Sequence, residues 1–462
     1  MLKENMSSNF TMVFLFVISI VWVFSCVDSF VVLHRRRSSS SHFVGFVSKD
    51  DVANDSSFDI LPWCFNVDEL GDILDGKGRA RMVWEYLRRG EDPLQLSNNG
   101  LGKKVQLKLQ QAFPTNGDTI ESRICQVEQV TKTSLSTKLL IRYLYDDALV
   151  ETVIIPMNNI DDDDDDDSMT LENGKKKNKK KKRPYSTLCV SSQVGCRQAC
   201  TFCDTGRMGK LRSLTTNEIL AQLYLAQKYN HNDRSSSNIE NIVFMGMGEP
   251  ADNVEAVTQA VRIMTGRNEF QIAPKHVTIS TVGISPDSFS DLVQNTNATL
   301  AWSVHASEDE LRRHLVPTTK YTMTELRDGL VKALIHHQSS RSMRRVLLEV
   351  TLIQNVNDRI LDAEHLANFV TEFQQMAPPQ TKLVVNLIPY NPSATGNIVV
   401  GGIPYETSPP SSVHAFQQTL SNHGIRTFVR TTRGDDDSAA CGQLATKKLM
   451  MMEKQKKKNN AT

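Results

Sequence analysis

The chain has 462 residues, of which 40% are hydrophobic and 23% are charged, and its formal net charge is +1. This composition excludes a mainly disordered polyelectrolyte, and the length predicts two or three domains with a sizeable core. Within the balanced total, seven aspartates at 161–167 are followed by a lysine-rich run at 175–182. Runs of one charge are solvated and self-repelling, so we expect a disordered insertion at 157–183.

The first 48 residues predict a targeting presequence. Residues 12–27 are apolar, which is short for a membrane span and suits the core of a signal peptide. The following stretch is rich in Arg and Ser and has no acidic residue between Asp28 and Asp50, as is typical of a transit peptide. The combination resembles the bipartite presequence of plastids acquired by secondary endosymbiosis, with Phe30 after the first cleavage point. It predicts the plastid stroma, with no stable membrane association of the mature protein; secretion, an N-terminal anchor or another reducing compartment are the alternatives.

Residues 57–113 predict a small helical domain. In GRARMVWEYLRRG, one helical face is apolar and consists of Met82, Val83, Tyr86 and Leu87. The opposite face is expected to present four arginines to solvent: Arg79, Arg81, Arg88 and Arg89. A basic helical surface suits contacts to RNA phosphates, although such surfaces are often only solvated.

The remaining chain is rich in strands. Residues 114–156 predict a β-rich linker in which TKLLIRYLYDD and ALVETVIIPM form a hairpin. From 184 to 445, amphipathic helices alternate with the apolar segments STLCVSS, NIVFMG, HVTIST, TLAWSVH, RVLLEVTLI, KLVVNLIPY and IRTFVRT. This alternation predicts an α/β fold with a parallel sheet, and six or seven units predict an open, partial (β/α)6-type barrel. Residues 446–462 predict a basic tail.

Three cysteines have the spacing C-x3-C-x2-C after the first predicted barrel strand: Cys196, Cys200 and Cys203. Thiolates at this spacing can surround one small metal centre. A structural zinc ion needs a fourth ligand, and none follows at the spacing of a zinc ribbon. A [4Fe-4S] cluster can be held by three cysteines, which leaves one iron open. The thiols alone leave both interpretations open.

Several residues at the ends of the other predicted strands could bind a ligand. They are Gly248, Glu249, Ser280, Ser303, Val304, His305 and Asn391. Gly248 and Glu249 could meet an ammonium group through the backbone and the carboxylate. Taken singly, each position has an ordinary structural explanation, such as a turn or a buried histidine. Together, beside the three thiols, they predict a ligand cleft on the rim where such folds place their chemistry.

Five segments together resemble one family. The three-cysteine motif and the Gly-Glu pair are similar to the radical S-adenosylmethionine (SAM) superfamily. More narrowly, TLCVSSQVGCRQACTFCDTG, VFMGMGEP, SVHA, NLIPYNP and RGDDDSAACGQLA are similar in order and spacing to the RlmN/Cfr family of RNA adenine methyltransferases. The resemblance covers about residues 59–445, interrupted by the charged insertion.

The resemblance implies methylation of carbon 2 of an adenine in 23S-type rRNA and of adenosine 37 in tRNA. It implies a [4Fe-4S] cluster on Cys196, Cys200 and Cys203, and two SAM molecules per methylation bound by the strand-end residues. Carbon 2 is neither acidic nor nucleophilic, so ordinary methyl transfer does not reach it, and a 5′-deoxyadenosyl radical is required.

The resemblance also implies roles for three side chains. Cys441 carries the methyl group as S-methylcysteine and forms a covalent adduct with the adenine. Glu151 accepts the ring proton, and Cys189 releases the RNA and leaves a Cys189–Cys441 disulfide. The ordinary alternative for Glu151 is a strand-edge glutamate. Restoring the thiols after each turnover requires a reducing compartment, in agreement with a stroma.

The implied partners are large-subunit rRNA, tRNA and an electron donor such as flavodoxin or ferredoxin, and the family resemblance suggests a monomer. The target adenine must be unstacked, and basic residues such as Arg79, Arg81 or Arg433 are candidates for phosphate contacts. Three rival functions remain: Cfr-like methylation of carbon 8, activation of a glycyl radical on a partner protein, and a structural zinc or iron–sulfur RNA-binding protein.

Overall fold

The computed structural model describes residues 60–95, 101–115, 118–157, 183–232, 237–337, 345–392, 399–400, 403–430 and Lys448. The chain divides into two units, 1–54 and 55–462, and every described residue belongs to the second. The predicted presequence, nearly all of the charged insertion and Cys441 lie outside the described residues. Within the described ranges, no helix has both the length and the apolar character needed to cross a membrane.

Ten of the fourteen strands among the described residues form one large sheet. The strands are β1 (Cys125–Lys132), β2 (Thr137–Tyr143), β3 (Leu149–Met157), β4 (Tyr185–Cys189), β5 (Gln193–Cys196), β6 (Gly209–Ser213), β7 (Ile239–Phe244), β8 (Val277–Thr281), β9 (Thr299–Ser303), β10 (Arg345–Leu352), β11 (Lys382–Pro389), β12 (Val399–Val400), β13 (Ile403–Pro404) and β14 (Thr427–Val429). The sheet order is β1-β2-β3-β4-β7-β8-β9-β10-β11-β14. Two short hairpins, β5–β6 and β12–β13, lie outside this sheet.

The first three helices precede the sheet along the chain, and most of the others lie between its parallel strands. The helices are α1 (Val67–Ile73), α2 (Lys77–Leu87), α3 (Lys103–Ala112), α4 (Asp204–Arg207), α5 (Thr216–Asn232), α6 (Val254–Thr265), α7 (Ser288–Asn295), α8 (Asp309–Leu315), α9 (Met323–His336), α10 (Ile360–Met376) and α11 (Pro410–Asn422). Seven strands of the large sheet are parallel, and at least one helix lies between each successive pair: β4, β7, β8, β9, β10, β11 and β14. Six strand–helix units followed by a closing strand confirm the predicted partial barrel.

An antiparallel extension enlarges the barrel sheet on the β4 side. β2 and β3 pair antiparallel, as predicted, and β3 pairs antiparallel with β4. The sequence analysis missed β1, which pairs with β2 at the edge of the sheet. Only Cys125 of β1 is buried. An edge strand without a buried face has no alternating apolar pattern by which it could be recognised.

The N-terminal helices share the core of the barrel. The Trp63 ring stacks on Tyr224 of α5 at 4.6 Å between centroids, and its Nε1 donates to Asn217. The prediction that Arg88 faces solvent is wrong. Its Nε donates to the backbone carbonyl of Glu269 at 2.7 Å and its Nη2 to that of Asn268 at 2.9 Å. Arg88 therefore joins α2 to the loop that follows α6.

Candidate active site

The three cysteines of the C-x3-C-x2-C motif lie on one short segment. Cys196 ends β5, so the expected loop after β4 contains a small hairpin, and Cys203 directly precedes α4. All three are free thiols; Cys196 is buried and Cys200 and Cys203 are half-buried. Burial raises the pKa of Cys196 to about 12, and it raises the pKa of Cys200 well above its ordinary value. The charges of the other two thiols raise the Cys200 pKa further.

Residues between these cysteines hold the segment in place. Arg197 Nε donates to Asp252 Oδ2 at 2.7 Å, and Gln198 Nε2 donates to the same oxygen at 3.0 Å. Thr318 Oγ1 donates to Gln198 Oε1 at 2.6 Å. The sequence analysis gave these positions no role. Their contacts join the cysteine segment to the turns that follow β7 and α8.

A tight turn after β7 contacts the strand that leads to Cys196. Gly248 has φ +105°, and a Cβ atom built there would lie 2.6 Å from Gln193 Cβ. Gln193 Oε1 accepts a hydrogen bond from Glu249 N at 3.0 Å. Any side chain at residue 248 would therefore be strained and would push β5 away. The predicted Gly-Glu pair thus lies beside the cysteine segment.

The Glu249 carboxylate is buried and bound to backbone groups. Its Oε1 accepts from Ala251 N and its Oε2 accepts from Val282 N, both at 2.9 Å. Burial raises the pKa of Glu249 to about 7, although hydrogen bonds from Thr281, Val282 and Ala251 oppose the shift. The carboxylate therefore joins the turn after β7 to the end of β8. Both of its oxygens already accept hydrogen bonds from the protein.

Polar side chains form a row across the parallel strands. Ser280 Oγ and Ser303 Oγ lie 3.2 Å apart. Ser303 pairs in register with Glu349, and Glu349 pairs with Asn386, so these side chains share one face. Asn386 Nδ2 donates to Glu349 Oε1 at 2.8 Å, and both residues are buried. The sequence analysis missed Glu349 and Asn386, although a charged residue in LLEVTL and an amide in VVNLI could have indicated them.

His305 has a structural role in the turn after β9. Its φ is +55°, its Nδ1 accepts from Thr351 N at 3.2 Å, and its ring packs edge-on against Phe202 at 4.7 Å. Burial lowers the pKa of His305 well below its ordinary value, so the ring is neutral. Val304 is buried, and Asn391 is half-buried two residues beyond the end of β11. Each of the predicted strand-end residues therefore lies at or just beyond a strand end.

Glu151 and Cys189 lie on the same face of the sheet. Cys189 pairs with Val153, which pairs with Lys138, and Glu151 is two residues from Val153 along β3. Glu151 Oε1 lies 3.4 Å from Lys138 Nζ, and Glu151 and Cys189 are 1% and 2% exposed. β3 has strand neighbours on both sides, so Glu151 is not a strand-edge glutamate.

Ser191 connects this part of the sheet to the turn after β7. Its Oγ donates to the Glu151 carbonyl at 2.8 Å and accepts from Met247 N at 3.0 Å. Glu151, Cys189, the Gly248–Glu249 turn and the cysteine segment are thus joined at neighbouring strands. Cys441 lies outside the described residues, so its position relative to this group remains a prediction.

Comparison with known proteins decides the family. The model of the radical SAM superfamily matches residues 190–359. The "Probable dual-specificity RNA methyltransferase RlmN" of Dictyoglomus turgidum is 33% identical, over 82% of this chain and 95% of that protein. The chain belongs to the RlmN family of radical SAM RNA methyltransferases.

Two further relatives agree with this RlmN-family assignment. A probable RNA methyltransferase of Sorangium cellulosum is 40% identical, over 56% of this chain and 60% of that protein. The crystal structure of a radical SAM methyltransferase from Sphaerobacter thermophilus has a TM-score of 0.64 and 29% identity, covering 83% of this chain and 98% of that one. The fold and the enzyme class predicted from the sequence are therefore confirmed.

Membership of the radical SAM family implies a [4Fe-4S] cluster and SAM. Three free thiols on one segment are suitable donors for such a cluster. In the described part of the chain, no three His, Cys, Asp or Glu side chains converge tightly enough to hold a single metal ion. A four-iron cluster does not require such convergence, because each cysteine binds a different iron. Cys196, Cys200 and Cys203 therefore fit the implied group.

Proposed function

We propose that this RlmN-family enzyme methylates carbon 2 of one adenine in 23S-type rRNA and of adenosine 37 in tRNA. The observation that carries the proposal is the placement of Glu151 and Cys189 on one face of the sheet beside the cysteine segment. A carboxylate can accept a proton there, and a thiol can attack a neighbouring sulfur. The name of the Dictyoglomus turgidum relative, a dual-specificity enzyme, supports two RNA substrates.

The cofactors of this reaction are the cluster and two SAM molecules per methylation. Cys196, Cys200 and Cys203 would hold the cluster, and the residues that would hold SAM are Gly248, Glu249, Ser280, Ser303, Val304, His305 and Asn391. When bound, the cluster and SAM supply a 5′-deoxyadenosyl radical. The RNA chemistry then depends on side chains of the protein.

Cys441 is the proposed methyl carrier: its S-methyl group would give one hydrogen atom to the 5′-deoxyadenosyl radical, and the remaining methylene carbon would bond to carbon 2 of the adenine. The Glu151 carboxylate would accept the ring proton of this adduct, and the adduct would return one electron to the cluster. The Cys189 thiolate attacks the Cys441 sulfur, so that an S–S bond forms as the S–C bond breaks. The electron pair of the broken bond stays with the new methyl carbon, which takes up a proton. The Cys189–Cys441 disulfide is then reduced to restore both thiols.

Chain length permits Cys441 to reach Cys189. Lys448 Nζ donates to Glu128 Oε1 on β1 at 2.6 Å. β1 and β4 are three strand spacings apart, about 14 Å. The seven residues from Cys441 to Lys448 span at most about 25 Å. The contact between Lys448 and Glu128 therefore supports a role for Cys441 beside β4.

The proposed reaction also implies particular substrates, RNA contacts, a compartment and an electron donor. The substrates are large-subunit rRNA and tRNA with the target adenine unstacked, and the exposed Arg81 is a candidate phosphate contact. Arg79 is less available, because its Nη1 donates to the carbonyls of Leu74 and Asp75. The presequence supports a plastid stroma, where a flavodoxin- or ferredoxin-type protein would deliver electrons to a monomeric enzyme.

The product of the reaction tests this function. The full chain, reconstituted anaerobically with iron and sulfide, would receive SAM, reductant and either unmodified rRNA or tRNA, and the digested nucleosides would be read by mass spectrometry. We expect 2-methyladenosine from both RNAs. Formation of 8-methyladenosine would assign the chain to the Cfr-like reaction. Absence of methylated adenosine despite SAM cleavage would contradict the RNA assignment.

A further inference from the structure

Arg312 is a buried cation that the proposed mechanism does not use. It lies in α8, and it is 1% exposed. Its Nη1 donates to the Val304 carbonyl at 2.8 Å and its Nη2 to the Val282 carbonyl at 2.6 Å. Its Nε has no hydrogen-bond partner among the described residues. A guanidinium with only carbonyl partners keeps its full charge in the protein interior, where a charge is costly without an anion.

The groups that act electrostatically on Arg312 are those of the cofactor site. Burial lowers its pKa to about 10, and the charges of Cys200 and then Glu249 oppose that shift. The Glu249 carboxylate is already bound to the amides of Ala251 and Val282. Of these two groups, the Glu249 carboxylate is therefore already bound to the backbone, and Cys200 is a proposed ligand of the cluster.

The helix that carries Arg312 also contacts the cysteine segment. Thr201 N donates to the carbonyl of Leu315, the last residue of α8, at 3.0 Å. Cys200 packs against the apolar cluster that includes Leu315 and Val316. The helix of Arg312 thus ends against the segment that carries one proposed ligand of the cluster.

We propose that the Arg312 guanidinium is the positive partner of the iron–sulfur cluster and makes that cluster easier to reduce. Reduction adds one electron to the cluster, so a nearby buried cation stabilises the reduced form more than the oxidised form. Arg312 is therefore a positioning residue of the redox site. The inference depends on the cluster and is independent of which RNA or which carbon atom is methylated.

The reduction potential of the reconstituted full chain tests this inference without RNA. An anaerobic redox titration followed by electron paramagnetic resonance would compare the parent with Arg312→Gln and Arg312→Lys. We expect Arg312→Gln to disfavour reduction about tenfold, a shift of ~59 mV to lower potential for a one-electron couple. Arg312→Lys keeps the charge and should retain most of the parent potential. Arg313→Gln removes an exposed arginine from the same helix and should leave the potential unchanged.

Iron content would be measured for every variant, so that only loaded proteins are compared. An unchanged potential in iron-loaded Arg312→Gln would overturn the inference and leave Arg312 as a structural bridge between two carbonyls. If Arg312→Gln does not retain iron, Arg312→Met serves as the neutral variant. A potential lowered by ~59 mV in Arg312→Met, beside a parent-like potential in Arg312→Lys, supports the role of charge. An unchanged potential in iron-loaded Arg312→Met, or an equal loss of reducibility in Arg312→Lys, contradicts that role.

Discussion

Lys138 Nζ lies 3.4 Å from Glu151 Oε1, and the two side chains are 2% and 0% exposed. This ion pair joins β2 to β3 on the face of the sheet that also carries Cys189. Removal of one partner from a buried ion pair is destabilising, because the other charge loses that partner. The lysine is therefore a buried cationic partner of the proposed proton acceptor.

Glu151→Gln should stop the reaction after the RNA has been attached. An amide cannot accept the ring proton, and loss of a general base slows such a step by about a hundredfold or more. We expect a covalent protein–RNA species to accumulate, visible as a shifted band on a denaturing gel. Glu240→Gln changes an exposed glutamate on β7 and provides the control. Normal turnover by Glu151→Gln would remove the proposed proton acceptor from the mechanism.

Lys138→Met should destabilise the protein because it leaves the Glu151 carboxylate buried without this cation. Breaking such a pair from one side typically costs about 3–5 kcal/mol. The double variant Lys138→Met, Glu151→Gln should lose less than the sum of the two single changes, as expected of residues in contact. Urea unfolding of the apoprotein measures all four forms. Strict additivity would show that the pair contributes no coupling.

Gly248→Ala should disrupt the junction between the turn after β7 and β5. The new Cβ would lie 2.6 Å from Gln193 Cβ at a φ of +105°, so either the turn or β5 must move. We expect a loss of about 1–3 kcal/mol in unfolding free energy and weaker SAM binding. Gly102→Ala is the matched control, because a Cβ there meets nothing within 4 Å. Parent-like SAM affinity in Gly248→Ala would argue against a SAM site at this turn.

The raised pKa of Glu249 predicts a pH dependence of stability. A carboxyl whose pKa rises from 4.5 to about 7 on folding favours the folded state only while it is protonated. Its contribution is therefore fully present below about pH 4.5 and is lost as the pH rises through 7. Relative to Glu249→Gln, which does not titrate, the parent apoprotein should lose about 3 kcal/mol over this window. Urea unfolding at pH 5 and pH 8 measures the difference, and a pH-independent difference would contradict the shift.

The parallel barrel could be predicted from the sequence because its strands are short apolar runs separated by amphipathic helices. Segments such as KLVVNLIPY have this character because both faces of a parallel sheet are covered. β1 could not be predicted, since it is exposed on both faces at the edge of the sheet. Arg88 was assigned to solvent because helical periodicity does not reveal that a carbonyl from a loop 180 residues away accepts its hydrogen bonds.

The candidate site was predicted best where short motifs carry its chemistry. The three cysteines, Gly248 and Glu249 lie within such motifs. Arg312 was missed, because a single arginine in an amphipathic helix has the same pattern whether its side chain reaches solvent or the protein interior. Tertiary contacts decide which of the two occurs, and they leave no mark in local spacing.

The most direct test of the central claim follows one methyl group from Cys441 to RNA. The chain would be loaded with methyl-labelled SAM, freed of small molecules and then given unlabelled SAM, reductant and rRNA. The proposed mechanism predicts that the label appears in 2-methyladenosine and that Cys441→Ala yields none. A first turnover that yields only unlabelled 2-methyladenosine from the loaded enzyme, or product formation by Cys441→Ala, would contradict it.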